Sequence, residues 1–582
     1  MFRRPLQPPC LQCRHRKVRC DRRRSTCGSC ERLQFNCSFH KDGERRPSSA
    51  PERKRATRAC LACRRLKARC SGELPACGNC QQQQRQCQYT AMVESKPASP
   101  PLHLREMAQA QGPKLRPMVS NRLTVDMGET LDRFFRFLYP IPSFAFVHEA
   151  SIRKQCLERT IDETFAMALA AVTNAFLSPS EAVKEDKLWI SKVETELWGH
   201  LHEPSIRRVQ CLLFVIHYHI QTGNFARAYM LAGIAARSAT ALRLNYERPD
   251  LAPVAQETRC RVLWALTSID GHFSVGLPEY ETMPYSIVYQ QLPRSEESFS
   301  GSQIEPSNHP NLLAACFQLS KIQRDVMRLT RQLSISDKPM AELPGLVQQI
   351  QTDLWRLHAD LELQHDFSIS STTQPLKMKD SRWFARYLLA SLSWHQVHCD
   401  LYRIFLTGYA EAVPTIIMDA TDVTFRKHAA EVCRLHVQQI FKISGSLLDP
   451  SLNLPLLPSY VAVCAYQSAR LILFLPSLRH IEECLSEEGA FRAANVASLL
   501  LSKFFAAAPW AQEIIADLRR LIHHGTYGIG ASRVSAGGGL HRHDQLAVHS
   551  LVRQANFEDD DYEHLVSKPR PRPVIGNMEA DA

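Results

Sequence analysis

Twelve of the twenty cysteines in this 582-residue chain lie between residues 10 and 87, and their spacing restricts that stretch more than any other feature. Cys10, Cys13, Cys20, Cys27, Cys30 and Cys37 follow C-x2-C-x6-C-x6-C-x2-C-x6-C, and Cys60, Cys63, Cys70, Cys77, Cys80 and Cys87 repeat all five gaps fifty residues later. Thiolates at C-x-x-C spacing can grip one metal ion from a tight turn, and Zn(II) favours four such soft ligands in a closed tetrahedron. Six cysteines are too many for one zinc, and no suitably spaced histidine completes two separate four-ligand sites. Two zincs can be served only if two thiolates bridge, so the count implies a binuclear cluster in each segment.

Charge is divided in the same way. Residues 1–90 carry 22 Lys and Arg against 6 Asp and Glu, while residues 91–582 carry 49 against 52, so the whole basic excess sits with the cysteines. A short basic module on a near-neutral body is the electrostatic footprint of a chain that neutralises phosphates; a membrane surface is the rival reading of the same charge. Stretches such as Phe165–Leu177 and Leu212–Ile220 are shorter than the roughly 18 residues of a spanning helix and are broken by Asn or His, so a soluble protein with no membrane partner is expected. Met1-Phe2 is followed at once by Arg3, Arg4 and Pro5 with no apolar run, so no secretion signal is expected. In a reducing compartment the cysteines are not a disulfide framework. The eight outside the clusters, Cys156, Cys211, Cys260, Cys316, Cys399, Cys433, Cys464 and Cys484, stand singly in apolar stretches as buried small hydrophobes.

Both cysteine segments resemble the fungal Zn2Cys6 binuclear cluster family of transcription regulators. The resemblance implies two Zn2+ per cluster, four in total, with Cys10 and Cys27 bridging in the first module, Cys60 and Cys77 in the second, and the other four cysteines of each as terminal ligands. It also implies that the basic stretch between the second and third cysteines is a short helix entering the major groove. Here those stretches read Arg14-His15-Arg16-Lys17-Val18-Arg19 and Arg64-Arg65-Leu66-Lys67-Ala68-Arg69. Lys17 and Lys67 stand at the family's base-contacting lysine and are expected to read a guanine O6/N7 edge. Arg14, Arg16, Arg19, Arg64, Arg65 and Arg69 are expected to clamp phosphates. The family's proline before the fourth cysteine is kept as Pro75; the first module has Ser25-Thr26 there and a basic loop, Arg22-Arg23-Arg24.

The expected organisation is a first module over 8–40, a basic linker over 41–57, a second module over 58–90 and a proline-rich linker over 91–127. An all-α regulatory domain follows over 128–520, then a disordered tail over 521–582. The 22 residues between Cys37 and Cys60 form a solvated linker, spanning about 25 Å as a flexible coil and roughly 75 Å fully extended. Pro97, Pro100, Pro101, Pro113 and Pro117 interrupt any heptad downstream. A tandem pair on one chain can take the place of a dimerising zipper at two CGG-type half-sites, with double-stranded DNA as partner and the nucleus as location. The basic runs Arg45-Arg46 and Arg53-Lys54-Arg55 suit nuclear import or phosphate contact equally.

From about Thr130 to Leu518 the pattern is helical. Val209–Ile220, a turn at Gln221-Thr222-Gly223-Asn224 and Ala226–Leu244 read as a helical hairpin, with Leu231, Ile234, Ala235, Ser238 and Leu242 on one packed face. Three motifs are similar to the fungal-specific regulatory (middle homology) domain: Phe134-Phe135-Arg136-Phe137-Leu138-Tyr139-Pro140; Thr222-Gly223-Asn224 with Arg227, Ala228 and Met230; and Glu257, Arg259, Arg261, Leu263, Trp264, Asp270 and Ser274. The resemblance implies a regulatory domain open to a small-molecule effector. The chain departs from that family at Asp270-Gly271, where an arginine is usual at the second place, and at Gly276-Leu277-Pro278. A loosened ion-pair network is expected at the first.

The tail's Phe557-Glu558-Asp559-Asp560-Asp561-Tyr562-Glu563 and Leu565 resemble an acidic activation segment that would engage a coactivator. Two other classes compete with a transcription factor: a zinc-dependent interaction protein without DNA specificity, and a zinc enzyme. Closed all-thiolate sites leave no position for water or substrate. Neither Trp394-His395-Gln396-Val397-His398-Cys399 nor His541-Arg542-His543 has ligand or triad spacing, and no phosphate-binding loop or nucleophile elbow occurs. Regulators of secondary-metabolite gene clusters occur among chains of this kind, but no residue here specifies target genes.

Overall fold

The computed structural model describes residues 10, 13, 20, 21, 23, 26–32, 34, 37, 60, 62, 63, 70 and 76–87, and then 126–178, 183–300, 310–336, 338–365, 367–452, 454–478, 486–524 and 549–555. Two compact units divide the chain, residues 1–115 and 116–582. Among the described residues of the first unit, each cysteine segment contributes one five-residue helix, α1 (Gly28–Arg32) and α2 (Gly78–Gln82). Each turns out of its helix through a residue in the left-handed region, Gln34 at φ 51° and Gln84 at φ 48°, so the fifty-residue repeat extends to backbone conformation.

The second unit is helical throughout, with no strand among the described residues. In chain order its helices are α3 (Met127–Arg133), α4 (Glu149–Leu157), α5 (Glu163–Leu177), α6 (Val183–Gly199), α7 (Ile206–Gln221), α8 (Phe225–Ala241), α9 (Pro253–Ser274) and α10 (Glu296–Ser300). There follow α11 (Leu312–Ser334), α12 (Leu343–His365), α13 (Gln374–Lys377), α14 (Phe384–Arg403), α15 (Thr415–Ala420) and α16 (Val423–Ser446). Last come α17 (Ser459–Phe474), α18 (Glu487–Phe504), α19 (Gln512–His524) and α20 (Leu551–Gln554). Several begin at a side chain that accepts from the first turn's free N–H groups: Asp162 for α5, Ser205 for α7, Asp422 for α16 and Ser486 for α18. One continuous hydrophobic core runs from Leu131 to Leu551.

α7 and α8 form the expected hairpin. Gly223 takes φ +82° in its turn, and a Cβ there would lie 3.0 Å from Pro509 Cβ, so both conformation and space call for glycine. The packed face differs from the expected stripe. Ala228, Ala232, Ala235, Ala236 and Ala239 with Leu231 are buried, whereas Ile234, Ser238 and Leu242 are only half-buried. Small side chains let α8 lie close on its neighbours, and a stripe weighted by large apolar residues misses that face. Arg227 closes the hairpin by donating to buried Glu194 at 2.8 and 2.5 Å, and the same carboxylate pairs with His219 at 2.9 Å.

The opening motif leaves α3 through a π-turn, Phe134–Leu138, with Tyr139 N–H donating to Phe134 O at 3.0 Å. This wider turn places Phe134, Phe135, Leu138 and Tyr139 together in the core. Behind it, the guanidinium of Arg261 on α9, only 1% exposed, donates to Glu257 at 2.7 Å, Glu296 at 2.8 Å and the Tyr139 hydroxyl at 3.0 Å. Arg386 on α14 donates to the same Glu296 at 2.6 Å and to Pro140 O at 2.9 Å. Three distant stretches are thereby locked around one carboxylate. The ion-pair network at Asp270-Gly271 is not loosened. Arg324 from α11 pairs with Asp270 at 3.4 Å and donates to Thr267 O, and a Cβ on Gly271 would meet the Arg324 guanidinium at 3.2 Å. A guanidinium from another helix occupies the space that the glycine leaves free.

Two parts of the stretch expected to be tail belong to the body. α19 runs on to His524, and residues 549–555, with α20, pack on α8 and α9. The acidic run 557–563 and His541-Arg542-His543 lie outside the described residues, as does Cys484. Of the other scattered cysteines six are buried and Cys156 is half-buried, as expected of small hydrophobes. No helix among the described residues is long and apolar enough to cross a membrane.

Candidate metal centres

The six sulfurs of the first segment sort into two overlapping groups of four, Cys10–Cys13–Cys20–Cys27 and Cys10–Cys27–Cys30–Cys37, with all ligand atoms of a group within 4.8 Å of one another. The second segment repeats this as Cys60–Cys63–Cys70–Cys77 and Cys60–Cys77–Cys80–Cys87. Cys10 and Cys27 belong to both groups of their segment, and Cys60 and Cys77 to both groups of theirs. Sulfur separations within groups are 3.6 Å for Cys10–Cys27, 3.5 Å for Cys13–Cys27, 3.7 Å for Cys60–Cys77 and 3.7 Å for Cys63–Cys77. Four sulfurs about 2.3 Å from a tetrahedral zinc would stand about 3.8 Å apart, so the donor set fits the ion. Cys13 and Cys30, which share no group, are 4.0 Å apart, and Cys63 and Cys80 3.9 Å.

Local sequence explains the placement. Each segment is two C-x2-C-x6-C halves, and the halves bond alike: Cys63 N–H donates to Cys60 Sγ and Cys80 N–H to Cys77 Sγ, both at 3.4 Å. Likewise Cys60 N–H donates to Cys70 Sγ at 3.4 Å and Cys77 N–H to Cys87 Sγ at 3.2 Å. In the first segment Cys13 N–H reaches Cys10 Sγ and Cys27 N–H reaches Cys37 Sγ, each at 3.4 Å. N–H donors aimed at sulfur favour the thiolate, the form that binds metal. The Cys63 N–H holds the Cys60 thiol below its ordinary range, and the Cys80 N–H does the same for Cys77. At Cys10 and Cys27 burial outweighs such contacts and pushes the thiols up.

Two supporting residues carry no motif that sequence reasoning singles out. Asp21, directly after Cys20, accepts from Gly28 N–H with both carboxylate oxygens at 3.1 Å and pairs with Arg23 at 3.4 Å. A Cβ at Gly28 would come within 2.9 Å of Asp21 Oδ2, so glycine permits this approach to the start of α1. Asp21 thus ties the loop of the module that has Ser25-Thr26 where the other has Pro75. In the second module Asn79 donates its side-chain N–H to Cys63 Sγ at 3.4 Å. A polar residue between two ligand cysteines is the one signal that could have found it.

All twelve cluster cysteines are among the described residues. Lys17, Lys67, Arg14, Arg16, Arg19, Arg64, Arg65 and Arg69 lie outside them, as does Pro75. In the body, His395 and His398 sit on α14: His395 Nδ1 lies 2.9 Å from His436 Nδ1, and the His398 ring stacks on that of His436 at 4.1 Å. Among the described residues, groups of three or more close metal-ligating atoms are formed by the cluster cysteines and not by these histidines.

The chain matches the fungal Zn(2)-Cys(6) binuclear cluster domain twice, over residues 8–46 and 58–95, and the fungal specific transcription factor domain over residues 131–367. No curated protein was found to match it. The match to the fungal specific transcription factor domain begins within α3 and ends two residues past α12, and the later helices continue the same core. These are domains of transcription factors rather than of enzymes, and they imply zinc and DNA binding and a nuclear location. The chain is therefore a zinc-dependent, DNA-binding transcription factor of the fungal Zn(2)-Cys(6) family, with two cluster domains ahead of a fungal specific transcription factor domain.

Proposed function

We propose that each cluster holds two zinc ions, four per chain, and that one chain reads two CGG-type half-sites. Cys10 and Cys27 bridge in the first module and Cys60 and Cys77 in the second. Cys13, Cys20, Cys30 and Cys37, and Cys63, Cys70, Cys80 and Cys87, are the terminal ligands. The observation that carries this is the sharing of two sulfurs between the two ligand groups of each segment. Zinc in such a closed site is structural: it fixes the chain on either side of the basic stretch. Lys17 and Lys67 then present an ammonium to guanine O6 and N7, and Arg14, Arg16, Arg19, Arg64, Arg65 and Arg69 grip phosphates. The charge of residues 1–90 and the reach of the 22-residue linker support two contacts by one chain. An effector acting on the helical domain and a coactivator meeting the acidic tail complete the reading.

Selection from a random duplex library by the zinc-loaded full chain tests it. Paired CGG-like triplets are expected, one lost with Lys17→Ala and the other with Lys67→Ala. Binding should be first order in protein. Loss of both triplets with either substitution, or second-order binding, overturns the one-chain reading. Recovery of no motif at all favours a zinc-dependent interaction protein.

A further inference from the structure

The segment 549–555 packs on α8 and α9 although 24 residues of sequence separate it from His524 at the end of α19. Within it Ser550 is 0% and Leu551 5% exposed, in a stretch whose Gly-, Ser- and His-rich surroundings give no reason to be buried. Its backbone bonds close on its own turn, Gln554 N–H donating to Ser550 O at 3.2 Å and Ala555 N–H to Leu551 O at 3.0 Å. The bonds that fasten it to the body come from side chains. Ser550 Oγ donates to Phe273 O at 2.8 Å, satisfying a carbonyl in the last turn of α9 that has no partner within the helix. Gln554 Nε2 donates to Trp510 O at 3.1 Å, and His549 Nδ1 accepts from Gln467 Nε2 at 3.3 Å. Gln467 is itself held in a chain of buried ions, Asp400–Arg403–Glu411–Arg470. Leu551 fills the apolar part of the cleft, with Val552 and Ala555 against its edge.

We propose that the cleft between α8, α9 and the turn at Pro509–Ala511 is a peptide-binding site, occupied in cis by His549–Ala555 as an exchangeable ligand. The site reads a short helical turn by its side chains: an imidazole acceptor, a serine that both caps its own turn and donates outward, a buried leucine and a glutamine three residues on. This is how a groove recognises an amphipathic segment from another chain, with the difference that the tether supplies a high effective concentration. Occupancy also fixes the position of Ala555, two residues before Phe557 in the sequence. If the acidic run is an activation segment, exchange at this cleft decides how it is presented.

Two measurements on the full chain test this. Hydrogen exchange should show the amides of 551–555 opening in a separate event, faster than those of α9; exchange of the two together in one global event overturns the proposal. The chain carrying Leu551→Asp should bind a labelled peptide spanning residues 545–556, and the unaltered chain at least about tenfold more weakly because its cleft is filled. The same peptide with Leu551→Asp should lose about tenfold or more in affinity, as expected for a buried leucine. A folded Leu551→Asp chain that fails to bind the unaltered peptide overturns the proposal. If that variant does not fold, the exchange measurement on the unaltered chain decides alone.

Discussion

The cysteine segments and the helical body are folded by different physics. Around Cys10–Cys37 and Cys60–Cys87 the buried set is the cysteines themselves, with Ala62 the one other apolar residue packed on either group among the described residues. The two helices described there, α1 and α2, have five residues each, too short to stand on propensity. The body buries side chains from more than a dozen helices in one core, and its longer helices, such as the 23 residues of α11, are held by their neighbours. Metal coordination can thus be removed from one region without touching the other. Structural zinc supplies an apparent free energy of about 10–16 kcal/mol to small zinc modules at neutral pH. A strong chelator should therefore abolish DNA binding and make all twelve cluster thiols reactive to alkylation. Far-UV helicity and the melting transition of the body should stay unchanged. A body that melts with the clusters would show that the two regions are not independent.

Next in size is the reverse experiment, which damages the body and spares the metal. Burial alone would raise the Glu296 carboxyl, but Arg386 and Arg261 overcome this and hold it at about 2. Arg261→Met keeps much of the side chain's bulk while removing the charge that faces Glu257 and Glu296. Breaking one partner out of a buried ion group costs about 3–5 kcal/mol. Urea unfolding followed by far-UV circular dichroism should show that loss, with zinc content and the DNA motif unaltered. A change below about 1 kcal/mol would mean that water or Arg386 replaces the missing guanidinium.

The two regions also differ in how much of them the sequence discloses. Metal chemistry is written locally: a ligand type, a gap of two, a gap of six and an exact repeat define the clusters with no help from distant residues. The α7–α8 hairpin is legible for a related reason, since Gly223 marks the turn and the helical period runs on either side. What stays hidden depends on partners far apart in the chain. Arg324 over Gly271, Glu296 between Arg261 and Arg386, and Ser550 under Phe273 each join residues from separate helices, and no local pattern announces them. The buried face of α8 escapes a reading of apolar periodicity because alanines carry it. Asp21 and Asn79 sit in plain view beside ligand cysteines, but their roles follow only from which N–H and which sulfur they meet.

A smaller effect separates the regions by pH. His217, stacked on Phe144 at 4.0 Å and 5% exposed, is pushed down to about 3 by burial. His395, 2% exposed, is also pushed down to about 3 by burial. The unfolded chain takes up a proton at each near pH 6.5 while the folded chain does not, so the unfolded state binds more protons between about 6.5 and 3. The part of body stability that rests on these two histidines is therefore full above about pH 6.5 and falls as pH drops toward 3, with about 2 kcal/mol lost by pH 5 from His217 alone. Chemical denaturation of the zinc-free chain across pH 5–8 isolates this from proton-driven zinc release. Replacing His217 with Gln should flatten the slope by about that amount, and an unchanged slope would place the acid sensitivity elsewhere.

The finest comparison is between the two clusters. Asn79 donates to Cys63 Sγ, and fifty residues earlier Ser29 stands at the matching place with a shorter side chain that has no described bond to a cluster sulfur. An N–H on a terminal ligand sulfur fixes its orientation and lowers the cost of its negative charge, and outer-shell partners of this kind are worth roughly tenfold in metal affinity or more. The second module should therefore hold its zinc longer than the first under a graded chelator. Alkylation of released thiols, mapped by peptide, would show Cys10–Cys37 labelled ahead of Cys60–Cys87. Asn79→Ala should bring the two waves together by roughly tenfold in chelator concentration, at the lower end of that range. If the order of release is the same with and without the substitution, the amide contributes nothing to metal retention. The difference between the modules would then lie elsewhere, as in the Asp21 carboxylate that accepts from Gly28 N–H in the first.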